Sequence, residues 1–108
     1  MVRMTVVLVA SHPRGHQLVQ ALRSLITLTR REPGCLSCTV WSDLESTVRY
    51  VEEWATELDL NRRIRSDAFT ALLALMERGE EPPEVRFDFY ALSRGLDYVE
   101  EIRQQQPS

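Results

Sequence analysis

Lysine is missing from this chain: all 13 of its basic residues are arginine. Without a lysine amine there is no Schiff base to a carbonyl substrate or to pyridoxal phosphate, so aldolase-type and pyridoxal chemistry are excluded. The phosphate-cradling loop that ends in a lysine is excluded with them. Histidine is scarce. His12 and His16 are the only imidazoles, and so the only side chains whose ordinary pKa makes them switch charge near neutrality. Long apolar runs are absent too, and none approaches the roughly 20 residues that span a bilayer. The run Val6 to Ala10 is too short and wrongly flanked for a secretory leader. A cytoplasmic protein without a membrane partner is the expectation. The net charge of −3 lacks the basic field of a nucleic-acid binder, so no nucleic-acid partner is expected.

The two cysteines, Cys35 and Cys38, form a C-x-x-C. Redox pairs of this spacing open a helix, where the dipole lowers the thiol pKa. Here the pair follows Pro33-Gly34 and opens a strand-like run to Trp41. On a regular strand, residues three apart point to opposite faces about 10 Å apart, beyond the roughly 7 Å that a disulfide bridges. Two cysteines also fall short of a four-ligand zinc site. Both are read as buried, reduced thiols, and no metal is expected.

What is present reads as one α+β domain, since 108 residues leave no room for a second core. Thr5 to Ala10 is apolar and β-branched, hence a strand. From His16 to about Arg31, Leu18, Val19, Leu22, Leu25, Ile26 and Leu28 recur mostly at helical spacing, and Glu32-Pro33-Gly34 stops the helix. Strands follow at Leu36 to Ser42 and Val48 to Trp54, joined by a hairpin-like Asp43 to Ser46. Thr56 is placed to cap a helix from Glu57 to Arg65. Ser66-Asp67 starts another, with Phe69, Leu72, Leu73 and Met76 on one face. A fourth strand, Val85 to Leu92, precedes a helix from Gly95 to Gln104 and a frayed tail.

That order is β-α-β-β-α-β with an extra C-terminal helix, the ferredoxin-like split arrangement. Residues 1–94 make the expected barrel domain and 95–108 the helix and tail. The first strand carries Val7 and Val9 on one side and Val6, Leu8 and Ala10 on the other. Helices cover one face of such a sheet, so a sheet apolar on both faces needs a second copy to cover the other. A homodimer is expected.

Three motifs then form a series: Glu32-Pro33-Gly34-Cys35-Leu36, the acidic-aromatic Glu52-Glu53-Trp54, and Ser66-x-x-Phe69 before a leucine-rich turn. In this order and spacing, over about residues 3 to 92, the chain resembles the antibiotic biosynthesis monooxygenase-like family of dimeric α+β barrels. The resemblance implies a pocket between helices and sheet, and oxygenase-type chemistry on a phenolic or quinol molecule without a cofactor. It makes Trp54 the pocket aromatic of E-x-W and Phe69 a core residue. It puts Arg63 and Ala68 where relatives commonly carry histidines. Leu73 stands where haem-degrading members place their axial histidine, and leucine does not ligate iron.

Cofactor-free oxygenation asks for a base or hydrogen-bonding clamp, anion stabilisation and a dry aromatic cavity. His12, Trp54 and Arg63 are therefore the catalytic candidates, with Cys38, Tyr50, Glu52, Phe69, Leu73 and Tyr90 as pocket lining for a small aromatic ligand. Glu52 and Glu53 alternate, so one of them faces inward and needs a partner such as an arginine. The competing reading makes Arg62, Arg63 and Arg65 a solvated helix face and the aromatics simple packing. Two other functions remain open: a binding or isomerising protein that uses the pocket without oxygen, and a dimerisation module whose pocket is plugged by Trp54, Phe69 and Met76.

Overall fold

The computed structural model describes residues 1–43, 46–90 and 95–105. Its elements are β1 (Val2–Val9), α1 (Arg14–Thr29), β2 (Cys35–Ser42), β3 (Thr47–Trp54), α2 (Glu57–Arg65), α3 (Asp67–Met76), β4 (Glu84–Phe89) and α4 (Leu96–Gln104). The four strands pair antiparallel in the order β2-β3-β1-β4, the ferredoxin-like sheet. Leu44 and Glu45 of the expected hairpin connection lie outside the described residues, as do residues 91–94 and 106–108. The expected end of β4 at Leu92 and the tail beyond Gln105 therefore lie outside them.

Local chemistry sets the helix ends. Thr56 is extended, and its hydroxyl accepts the Asp59 backbone N–H at 3.1 Å, which starts α2 where expected. Ser66 serves two helices. Its hydroxyl donates to the Arg63 carbonyl at 2.7 Å and accepts from the Phe69 N–H at 3.3 Å, closing α2 and opening α3. Along β1 burial alternates strictly. Val2, Met4, Val6 and Leu8 point to the helices, and Arg3, Thr5, Val7 and Val9 to the open face. Leu18, Val19, Leu22 and Ile26 of α1 pack on that inner row with Phe69, Leu72, Leu75 and Met76 of α3. Among the described residues no helix is long and apolar enough to cross a membrane.

Four expectations change. The strand register between β2 and β3 shifts at Cys35/Ser37, so Cys35 pairs with Trp54 and Cys38 with Glu52. The bulge turns both cysteines to the helix side, instead of to opposite faces. The open face, expected to be apolar, carries Arg3, Thr5, Arg49, Glu53, Glu84, Arg86 and Asp88 beside Val7, Val51 and Trp41. The exposed apolar row of β4, Val85, Phe87 and Phe89, stands instead on the helix side, opposite Val6, Met4 and Val2. On α3, Leu75 takes the buried place expected for Leu73, which is 44% exposed. The fourth concerns α2, where Arg63 is buried rather than part of a solvated face, while Arg62 and Arg65 are exposed. No residue of α4 is buried, and its Leu96, Val99 and Ile102 stripe faces outward.

Candidate functional site

Strand alternation sends Glu52 inward with Tyr50 and Trp54, its neighbours two residues either side on β3. A carboxylate there, with no exposed surface, must be compensated. Helix α2 lies over this end of the sheet and supplies Arg63. Its Nε donates to Glu52 Oε1 at 3.2 Å and its Nη2 to Oε2 at 2.9 Å, the two-pronged geometry that suits guanidinium and carboxylate. The Trp54 indole N–H donates to Oε1 at 3.0 Å and the Tyr50 hydroxyl to Oε2 at 2.5 Å. Glu52 thus accepts four hydrogen bonds. The Cys38 thiol donates to the Tyr50 oxygen at 3.2 Å. The remaining Arg63 protons reach Thr29 Oγ1 at 3.3 Å and Glu32 Oε1 at 3.4 Å. The guanidinium also lies 5.4 Å from the Phe69 ring centre, a cation–π contact. Among the described residues no buried side-chain polar atom lacks a partner.

The electrostatics follow from this packing. Burial alone lowers the Arg63 pKa, but the hydrogen bond and charge of Glu52 outweigh it, and the net shift is upward. Burial, with the Glu52 charge beside it, drives the Tyr50 phenol far above its ordinary value. Burial likewise pushes the Cys38 thiol up to about 12, and Cys35 is also raised, chiefly by burial. Neither cysteine is a ready thiolate at neutral pH. Both are free thiols.

Six of the nine expected site residues come together here: Cys38, Tyr50, Glu52, Trp54, Arg63 and Phe69. Three do not. Val2 pairs with Trp54 at one end of β1, and His12 follows the other end, roughly 25 Å away at the rise of an extended strand. His12 instead lies 6.5 Å, ring centre to ring centre, from His16. The two share a cavity of about 300 Å³ with Arg23 and Asp43. Leu73 is on the outer side of α3. Tyr90 is exposed, and its hydroxyl accepts from Arg3 Nη1 at 3.1 Å. Thr29 and Glu32 complete the Arg63 shell; the sequence did not single out Thr29, and it marked Glu32 only within the Glu32-Pro33-Gly34 motif, not as a partner of Arg63. They lie more than 30 residues before Arg63, and no local pattern ties them to it. The space expected to be a pocket holds packed side chains, for Trp54, Tyr50, Glu52, Leu72 and Cys38 are each less than 2% exposed. A cavity of about 860 Å³ lies on the opposite face of the sheet, over Thr5, Val7, Thr39, Trp41 and Val51. Among the described residues no group of three or more metal-ligating side chains is found.

A family model described as antibiotic biosynthesis monooxygenase matches residues 1–75. The chain belongs to this family. Its fold is shared with a Deinococcus radiodurans protein described as a candidate antibiotic biosynthesis monooxygenase, at a TM-score of 0.74 and 22% identity, covering 88% of this chain and 97% of that one. A conserved protein of Methanosarcina mazei Go1 matches with a TM-score of 0.71 and 26% identity, over 81% of this chain and 89% of that one. The Rv0793 protein of Mycobacterium tuberculosis matches with a TM-score of 0.71 and 20% identity, over 86% and 96%. No curated protein matches. The motifs that define the family reading, Glu32-Pro33-Gly34, Glu52-Glu53-Trp54 and Ser66-x-x-Phe69, thus surround one buried ionic centre. In this monooxygenase-family chain, Arg63 supplies a permanent cation to that centre.

Proposed function

We propose that this chain is a cofactor-independent monooxygenase-type protein that acts, as a cytoplasmic homodimer, on a small phenolic or quinol molecule. Family membership supports the reaction class. The single structural observation behind the substrate class is that Glu52 already holds a phenol, the hydroxyl of Tyr50, in a fully buried setting beside a guanidinium. A ligand phenol that takes the place of the Tyr50 hydroxyl meets a carboxylate to accept its proton and Arg63 to hold the resulting anion. The electron-rich substrate then supplies all four electrons that dioxygen takes up, so no external reductant is needed. When a ring methylene becomes a carbonyl, one oxygen atom enters the product and the other leaves as water with the two methylene hydrogens.

A second reading, the dimerisation module, is favoured by a different observation. Trp54, Phe69 and Met76 fill the interior, and the site as it stands disfavours the Tyr50 phenolate. Oxygen uptake by metal- and flavin-free protein, with a panel of hydroquinones and anthrones, separates the two. The oxygenase reading expects turnover that Glu52→Gln abolishes while the fold is retained. Absence of uptake across the panel, from folded protein, favours the module. A ligand-induced thermal shift under anaerobic conditions without turnover in air points to binding or isomerisation instead.

A further inference from the structure

On a regular strand Cys35 and Cys38 would point to opposite faces, and the pair could hold nothing in common. The register shift in β2 changes that. Cys35 is paired with Trp54 and Cys38 with Glu52, residues two apart on β3 and both turned to the helices. The two cysteines therefore stand side by side on the helix side of the sheet, about 7 Å apart, the repeat of two extended residues. Cys38 belongs to the core under α1 and α3, and Cys35 packs against that core and against Val2, Trp54 and Leu60. Both are free thiols. β2 is an edge of the sheet, and a cavity of about 260 Å³ there is lined by Cys35 and Cys38 with Arg30, Ser37 and Thr39. Cys38 has no exposed surface and Cys35 is half-buried, so a small ion reaches the pair past Cys35.

We propose that Cys35 and Cys38 together bind one soft, two-coordinate metal ion, Cu(I), as a bis-thiolate on the helix side of β2. The spacing decides between the two things a thiol pair can do. A disulfide needs its sulfurs about 2.05 Å apart and its Cβ atoms about 3.8 Å apart. Side-by-side residues roughly 7 Å apart do not reach that without moving the backbone. An ion in line between two sulfurs, about 2.3 Å from each, needs them only about 4.6 Å apart. Leaning the two C–S bonds toward each other closes the gap that far. Ligand number and softness then choose the ion. Zn(II) takes four ligands, and among the described residues no group of three metal-ligating side chains is found. Glu52, beside Cys38, has its oxygens taken by Arg63, Tyr50 and Trp54. Thiolates favour Cu(I), and two of them satisfy an ion that accepts a linear pair. Each thiol gives its proton to solvent as its sulfur binds, so one ion enters and two protons leave. The loaded site carries one negative charge, and Arg30, whose Nε donates to the Cys38 carbonyl at 3.0 Å, brings a guanidinium to the same cavity. The site stands apart from the oxygenase reading, which uses no metal.

Anaerobic titration of the reduced full chain with Cu(I), buffered by a chromophoric Cu(I) chelator, tests this. The parent is compared with Cys35→Ser, with Cys38→Ser and with a His12→Ala/His16→Ala control. The parent is expected to take up one ion per chain. Each serine variant is expected to bind more than about 100-fold more weakly, because losing even an outer partner of a ligand costs roughly 10–100-fold. The histidine control is expected to match the parent. Cys35 is half-buried, so its serine variant keeps the fold, as circular dichroism will verify, and it decides the matter even where Cys38→Ser does not fold. X-ray absorption on the loaded parent is expected to show two sulfurs at roughly 2.2–2.3 Å and no nitrogen ligand. No uptake by the parent, uptake that survives either serine substitution, or uptake that follows the histidines overturns the proposed site. So does one ion shared between two chains, or a nitrogen ligand in the absorption spectrum.

Discussion

Replacing Arg63 by methionine keeps most of the side-chain volume over Phe69 and removes the cation. Glu52 would then sit with no exposed surface and no counter-charge, its remaining donors being the Tyr50 hydroxyl and the Trp54 indole. Removing one member of a buried ion pair costs about 3–5 kcal/mol, because the other is left uncompensated in a poorly polarisable interior. Against a total stability on the order of 5–15 kcal/mol for a domain of this kind, that is a large fraction. At about 4 °C per kcal/mol it corresponds to a fall in Tm of roughly 12–20 °C. The variant Glu52→Gln/Arg63→Met removes both charges, and its loss is expected to be only about 1–2 kcal/mol, well below the sum of the singles. Urea unfolding followed by tryptophan fluorescence measures all four proteins, at one fixed concentration because association adds to apparent stability. A loss below about 1 kcal/mol for Arg63→Met, or strict additivity in the cycle, would show that the centre is wet or loosely held. Glu52 and Arg63 would then not be the tightly held, fully buried pair described here by their hydrogen bonds.

Two further outcomes concern single residues. Gly34 has φ of +85°, and a Cβ there would clash with the Asp59 carboxylate. Gly34→Ala is expected to cost about 1–3 kcal/mol in denaturant titration, and an unchanged midpoint would mean that Asp59 swings aside freely. Glu53 is held below its ordinary pKa of 4.5 by the Ser37 hydroxyl and by Arg3. Its folded pKa is depressed, so its contribution to stability is present above the unfolded value and is lost as pH falls through the folded one. Glu53→Gln should flatten the acid limb of stability below pH 4.5, and an NMR titration placing the Glu53 carboxyl above 4.5 would refute this.

Helix boundaries were the most legible part of the chain. α2 runs from Glu57 to Arg65 as expected because both ends are set by neighbouring side chains, Thr56 before it and Ser66 after it. The apolar, β-branched run predicts a start for β1 at Thr5, and the strand starts at Val2. Arg3 looks out of place in a strand until Glu53 and Tyr90 stand beside it, and both are far away in sequence. The inward glutamate could be narrowed to Glu52 or Glu53 by alternation, together with its need for an arginine. Which arginine it takes could not be read from the sequence.

The order of elements, the split sheet, the breaks at Pro33-Gly34 and Ser66, and the exclusion of lysine chemistry follow from the amino-acid order alone. These rest on propensity, periodicity and composition, which act within a few residues. Packing in three dimensions makes Arg63 the buried one of three clustered arginines, turns Cys35 and Cys38 to the same side through a bulge, and leaves the open face charged rather than apolar. The first depends on where α2 packs over the sheet, the other two on register between strands distant in sequence. A shift of one residue in register reverses which face a side chain meets; nothing local to Cys35 reports that register, and nothing local to Arg63 reports how its helix docks.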